Sequence, residues 1–291
     1  MSMPEILITG GAGNFGRGLA ETLREQGHSL RILDLPSCDF SFFDGWENTR
    51  VLPGDIMDTA SLKQALEGVD WLFHLAAILP PAAEVDRDRT FRINVDGTKS
   101  VMEACSSLSE PPKLIFASSI SVYGDTTATT DLIGPDHPAV PIDIYAESKL
   151  VSEEDLKASD LPYVNLRIAA ISIPAFLDPP EPWPFQADQR IELVALSDLV
   201  TAMVSLVGVE EALGKTLIIS GGPTWRVTGE EYVRRWGEIM EIPVEEMDFL
   251  DRPGWMNWYD TTESQKLLGY QKTTLDEFLK QLEAAVAEAL A

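Results

Sequence analysis

Glu5-Ile-Leu-Ile-Thr9-Gly10-Gly-Ala-Gly13-Asn14-Phe15-Gly16 (EILITGGAGNFG) decides the fold. Glu5 to Thr9 is a short, continuously apolar run of the kind that forms a strand covered on both faces. The pattern from Asn14 to Gln26 is helical. The glycines between them have separate uses: Gly10 permits a tight turn, Gly13 lets backbone approach a pyrophosphate, and Gly16 allows close helix–strand packing. The helix start then offers unpaired N–H groups and the positive end of its dipole to phosphates. Asp34 ends the second expected strand, 18 residues after Gly16, near the ~20 at which an acid meets a ribose. A carboxylate there accepts from a 2′-hydroxyl and repels a 2′-phosphate, so the expected cofactor is NAD rather than NADP.

Outward from this turn, strand-like runs alternate with helical patterns. Strands are expected at Ser29–Leu33, Arg50–Leu52, Val69–His74, Lys113–Ala117 and Tyr163–Ile168. Helices are expected at 60–66, 91–107 and 145–159. This alternation predicts βαβ units and an α/β fold, a Rossmann-type doubly wound parallel sheet. Residues 1–170 are expected to form the NAD-binding domain. Residues 171–291 are expected to form mainly a smaller C-terminal substrate-binding lobe, with some segments returning to the core. Pro174 to Arg190 carries five prolines and reads as a loop. Helices are expected again at 197–207 and 229–240, a strand at 216–220, and a last helix after Thr274, with capping-box spacing at Thr228/Glu231 and Thr274/Glu277.

Ligands of open α/β sheets lie beyond the carboxyl ends of the strands. Asp55-Ile56 either borders the adenine there or simply forms a turn. Leu75, Ala76 and Ala77 end the fourth strand, and the alanines leave room for cofactor. His74 reads as a packed, hydrogen-bonded histidine rather than a catalyst.

The chain has 22 Lys+Arg against 47 Asp+Glu, a formal net charge of -25. Such a surface repels nucleic acid and anionic membranes. Cys38 and Cys105 have no metal-ligand spacing, and they fit free thiols in a reducing compartment. No metal is expected. With no leader-like start and no stretch long enough to span a bilayer, a cytoplasmic location is expected. The expected partners are a small-molecule substrate and a second copy of the chain, as a homodimer.

Tyr145-Ala-Glu-Ser-Lys149 places a phenol and an ammonium at i and i+4, on one helix face. A lysine favours the phenolate of a tyrosine whose ordinary pKa is near ~10. Tyr145 can then take a substrate proton as general base. Ser118, Ser119 and Ser121 follow the fifth strand and offer hydroxyls to a substrate oxygen.

Together these residues resemble an extended short-chain dehydrogenase/reductase of the NAD-dependent epimerase/dehydratase type. The resemblance rests on TGGAGNFG, on HLAA from His74, on Asn94-Val-Asp-Gly-Thr98, on SSISVYG ending at Gly124, on YAESK, and on Tyr259–Tyr270 (YDTTESQKLLGY). It implies Ser119, Tyr145 and Lys149 as the catalytic set. Cofactor contacts are expected from Gly10, Gly13, Asn14, Phe15, Gly16, Asp34, Asp55, Ile56, Leu75, Ala76, Ala77, Ser118, Tyr145, Lys149 and Ile171. Asn94 is expected to brace backbone. Arg252-Pro253-Gly254 resembles the family's R-x-G segment, whose arginine grips a diphosphate. Substrate contacts are accordingly expected from Ser119, Ser121, Arg190 and Arg252. Ala170, however, stands where many members carry a nucleotide-sugar-contacting asparagine.

The expected function is hydride transfer at a secondary alcohol of a sugar or sugar-like substrate. The alternatives are a UDP-sugar 4-epimerase or dehydratase, and an NAD(P)-binding redox sensor without turnover. Phe176, Trp183 and Phe185, with Trp255 and Trp258, are expected either to line a compact substrate pocket or to pack the smaller lobe.

Overall fold

The computed structural model describes residues 3–291. In chain order the strands are β1 Glu5–Thr9, β2 Ser29–Asp34, β3 Thr49–Pro53, β4 Trp71–His74, β5 Lys113–Ser119, β6 Tyr163–Ile168, β7 Ile171–Ser172, β8 Arg190–Ile191, β9 Val194–Ala195, β10 Lys215–Ile219 and β11 Val227–Thr228. The helices are α1 Asn14–Glu25, α2 Thr59–Leu66, α3 Arg87–Phe91, α4 Gly97–Ser106, α5 Ile144–Ala158, α6 Leu196–Ser205, α7 Gly229–Met240, α8 Thr262–Leu268 and α9 Leu275–Ala289.

A seven-stranded sheet runs in the order β10-β6-β5-β4-β1-β2-β3. β1 pairs in parallel with both β2 and β4, with Thr9 opposite Leu33 on one side and His74 on the other. The order of strands therefore reverses at β1, and the glycine turn leaves its carboxyl end at that switch point, where ligands of such sheets bind. Ile6, Leu7 and Ile8 are wholly buried, which is why this strand reads as unbroken apolar sequence. The helix expected over 91–107 is instead three pieces. α3 is followed by a π-helical turn at Arg92–Asp96 and then by α4.

The chain divides into two compact units. One holds the chain up to Ser118 with Asp143–Leu166 and Met203–Thr216; the other holds Ser119–Ile142, Arg167–Ala202 and Leu217–Ala291. The first is built on an aliphatic core that includes Leu7, Leu33, Leu72, Val101, Leu114 and Leu156. The core of the second is aromatic, with Trp183, Phe185, Trp225, Tyr232, Trp236 and Phe278. A full capping box starts α9, where Thr274 and Glu277 exchange side-chain-to-backbone bonds. Among the described residues no helix is long and apolar enough to cross a membrane.

Candidate active site

The glycine turn is held by contacts that leave no room for side chains. Gly10 has φ +71°, and a Cβ on it would lie 2.8 Å from Ala76 N. A Cβ on Gly16 would lie 2.6 Å from both Gly10 O and Gly11 Cα. Gly13 is the exposed N-cap of α1, with no side-chain cap, and no acid stands in the helix's first turn. A Cβ on Gly13 would meet only Gly10 O, at 3.4 Å. This uncapped, acid-free helix start, flanked by the exposed Asn14 and half-buried Phe15, fits the diphosphate of a dinucleotide.

Asp34 lies beside the turn. Its Oδ2 accepts from Ala12 N at 3.0 Å, and its Oδ1 from Leu35 N at 2.8 Å. The Cys38 thiol also donates to Oδ1, at 3.4 Å. Its carboxylate is therefore fixed at the end of β2. Beyond β3, Asp55 is exposed and accepts from Met57 N, while Ile56 is buried. Leu75, Ala76 and Ala77 are half-buried, and the backbone of the first two lies directly against Gly10.

His74 is a packed histidine, as expected. The Thr98 hydroxyl donates to Asn94 O at 2.6 Å, so at 3.0 Å from His74 Nε2 the same oxygen can only accept. The ring proton is thus on Nε2, and Nδ1 accepts from Thr9 Oγ1 at 2.7 Å. Burial, reinforced by the charge of Lys149, lowers the His74 pKa from 6.5 to about 3. Asn94 braces backbone by accepting from Ile78 N at 2.7 Å and donating to Ile78 O at 3.0 Å.

Helix α5 presents Tyr145 and Lys149 one turn apart. Its first amides are all taken. Glu84 accepts from Ile144 N and Tyr145 N, both at 3.0 Å, and Asp143 accepts from Ala146 N at 2.7 Å. Arg87 grips Glu147 with two bonds of 2.5 and 2.6 Å. Lys149 is buried, and its ammonium donates to Ala117 O at 2.8 Å, 5.7 Å from the centroid of the Tyr145 ring. Burial lowers the Lys149 pKa to about 8, against the raising effect of Glu153. The expected depression of the Tyr145 phenol is not what the protein's own groups produce. Burial pushes its pKa up, and the carboxylate of Asp143 adds to the rise.

Sequence reasoning missed Glu84 and Glu153. Glu84 lies 60 residues before α5, beyond any local spacing rule. Glu153 had a signal, its i+4 place after Lys149, but an acid in mid-helix reads as surface. It is buried, and the Ser118 hydroxyl donates to it in a short bond. That commits the Ser118 hydroxyl proton to Glu153 and leaves its oxygen free only to accept.

In the second unit Ser119 Oγ accepts from Ser121 N at 3.1 Å and from Ser121 Oγ at 2.9 Å. This leaves the Ser119 hydroxyl proton for another acceptor. Ile171 is exposed at 41%. Arg190 donates to Thr130 O at 2.7 Å and stacks over Trp258, 4.5 Å from the ring centroid. Arg252 is exposed, while Gly254 beside it is clamped by Gln189, which accepts from Gly254 N at 2.9 Å and donates to Gly254 O at 3.0 Å. Of the two roles expected for the aromatic residues, Trp183 and Phe185 take the packing one. Trp183 and Phe185 are buried in the unit's own core, and Phe176 is exposed at 47%. Packing claims these rings because they supply the largest apolar area in a proline-rich segment. Among the described residues no three His, Cys, Asp or Glu side chains are grouped to hold a metal ion.

Comparison with known proteins agrees with this geometry. The NAD dependent epimerase/dehydratase family matches residues 6–175. A D-erythronate dehydrogenase of Cupriavidus necator is 38% identical over 128 residues, 41% of this chain and 40% of that protein. A decarboxylating sterol-4-alpha-carboxylate 3-dehydrogenase of Mus musculus is 32% identical over 181 residues, 60% of this chain and 46% of that protein. The matched region thus spans under half the length of these relatives. A short-chain dehydrogenase/reductase superfamily protein from Agrobacterium tumefaciens, solved with bound NAD, superposes with a TM-score of 0.81 at 22% identity, covering 99% of this chain and 98% of that one. With the family matched over more than half its length, this chain belongs to the NAD-dependent epimerase/dehydratase family.

Proposed function

We propose that the protein is an NAD-dependent oxidoreductase or epimerase that moves a hydride at a secondary alcohol of a sugar or sugar-like substrate. The observation that carries this is Lys149, buried one turn after Tyr145 with its ammonium held on Ala117 O. A buried cation beside a phenol has no stabilising role that a leucine would not fill better, whereas it offsets charge that develops on the phenol in a proton transfer.

When bound, NAD supplies the hydride acceptor. Asp34 takes the ribose hydroxyls, and the start of α1 takes the pyrophosphate. Ser119 Oγ holds the substrate oxygen. Tyr145 Oη accepts the hydroxyl proton as the carbonyl forms, and Lys149 stabilises the resulting phenolate. Held protonated by its surroundings, the same phenol is the acid for the reverse, ketone-reducing direction. The name of the Cupriavidus relative supports a small polyhydroxy acid as substrate. The exposed guanidinium of Arg252 supports a second reading, a nucleotide-sugar substrate whose diphosphate it would clamp. A cytoplasmic homodimer completes the proposal; the free thiols of Cys38 and Cys105 support the compartment.

A panel of aldonates, sugars and UDP-sugars, followed by NADH absorbance and by product isomer analysis, tests the reaction. Tyr145→Phe is expected to cut turnover by about 10²–10⁴-fold while the Kd for NAD stays unchanged. Near-normal turnover in that variant refutes the mechanism. Micromolar binding of UDP in calorimetry, lost in Arg252→Ala, selects the nucleotide-sugar substrate.

A further inference from the structure

Tyr145, Lys149 and Glu153 follow one another at intervals of four along α5, so their side chains share one helix face. The last two are both buried, at 3% and 7% exposure. A mid-helix glutamate that merely solvates a surface would not be covered in this way, and a buried acid is costly unless it is hydrogen-bonded and paired.

The surroundings of Lys149 show what its ammonium lacks. Its hydrogen-bond acceptor is the neutral carbonyl of Ala117, from β5. The Phe116 ring of the same strand lies 4.9 Å from Nζ, and the Tyr145 ring of its own helix 5.7 Å away. From β4 it faces His74, a neutral imidazole that the ammonium itself helps to keep neutral. Tyr145 is held as the neutral phenol. Glu153, one turn on, is the acidic group whose charge acts on Lys149. The same charge reaches Tyr163 of β6, whose phenol it helps to push up. Ser118, the residue after Ala117 on β5, donates its hydroxyl to Glu153 Oε1. Consecutive residues of the strand end are thus tied to consecutive turns of α5, one through the cation and one through the anion.

We propose that Glu153 is a positioning residue of this site: it is the buried counter-charge that keeps the Lys149 ammonium charged, and Ser118 holds it in place. The catalytic consequence rests on the role of Lys149 proposed above; the charge of Lys149 can be measured without any turnover.

The test is ¹⁵N-lysine NMR of the full chain, with the Lys149 Nζ resonance assigned by its loss in Lys149→Arg. At pH 7 Lys149 is expected to be an ammonium. Glu153→Gln keeps an acceptor for Ser118 and removes the charge, and it is expected to lower the proton affinity of Lys149 at least about tenfold. Ser118→Ala keeps the charge and is expected to change that affinity by less than about threefold. Glu153→Gln within about threefold of the parent, or equal shifts in both variants, would overturn the proposal. So would a neutral Lys149 at pH 7 in the unaltered protein, a measurement that needs no variant to fold. Absence of turnover on every alcohol tried would instead count against the proposed reaction alone.

Discussion

The two units place polar groups in their interiors by opposite means. In the first, the polar interior is a set of short relays along neighbouring elements: Thr9 to His74 to Thr98 to Asn94, and Ala117 and Ser118 to successive turns of α5. In the second, single buried side chains gather distant backbone. Glu192 is wholly buried and accepts from Gly222 N at 2.9 Å, Arg226 Nε at 3.0 Å and Tyr259 N at 3.1 Å. Asp198 likewise takes Lys272 N and Thr273 N, both at 3.0 Å. The first design ties each buried polar group to a neighbouring strand or helix turn. The second fixes irregular segments, including the one that carries Arg252, through single acidic side chains.

The sharpest break of this contrast is Glu192→Ala. It strips three donors of their acceptor and leaves Arg226 with the carbonyl of Tyr259. Removing one member of such a pair costs about 3–5 kcal/mol. Urea denaturation followed by tryptophan fluorescence should show that loss, and a loss below about 1 kcal/mol would mean the hub is incidental.

The next test is pH. The folded pKa of His74 lies below its unfolded value of 6.5, at about 3. The unfolded chain therefore takes up a proton that the folded chain refuses. The stabilisation is complete above pH 6.5 and declines as pH falls toward 3, by roughly 3 kcal/mol at pH 4. His74→Gln should flatten that part of the stability–pH curve. A variant whose curve parallels the parent's would show that burial does not hold the imidazole neutral.

A smaller effect is expected at Asp34. NAD should bind at least about tenfold more tightly than NADP, about 1.4 kcal/mol, with the preference lost in Asp34→Ala. Calorimetry giving equal affinities would show that the carboxylate fixed by Ala12 N and Leu35 N does not face the ribose. Smallest of all is Arg87→Ala. The bidentate pair with Glu147 is about half-exposed on both sides, so its loss should cost under about 1 kcal/mol in thermal denaturation.

The same contrast explains what could be read from sequence. The glycine turn, Asp34 and the Tyr145/Lys149 pair announce themselves because each works through neighbours in sequence or through a known spacing; Asn94, whose partners lie 16 and 54 residues away, is reached only through the family resemblance. Glu192 interrupts an apolar run, Ile191 to Leu196, and its partners lie 30 to 67 residues away; no periodicity marks it. Trp183 and Phe185 illustrate the same difficulty. Aromatic residues in a proline-rich loop serve a pocket or a core equally well until the chain's path is known, and here Phe185 packs so closely on α7 that a Cβ on Gly229 would lie 2.6 Å from its ring. The boundaries of α1, α2, α5, α6 and α7 are legible to within a residue or two; the stretch before α4 is not, because a π turn has no compositional signature, and the seven-residue α8 is not anticipated at all.

That π turn, Arg92–Asp96, has a consequence for comparing lengths among relatives. A π turn spends one residue more than the α winding it interrupts. An α-helix advances 3.6 residues per turn, so removing one residue here would let α3 and α4 fuse while rotating one against the other by about 100°. Asn94 would then leave Ile78, and Ser152, whose hydroxyl is shared at 3.0 Å between Asn94 O and Ser148 O, would be left with Ser148 O alone. A one-residue gap opened at this point in an alignment would therefore mark a change in helix winding, in a stretch where gaps are ordinarily taken as signs of a loop.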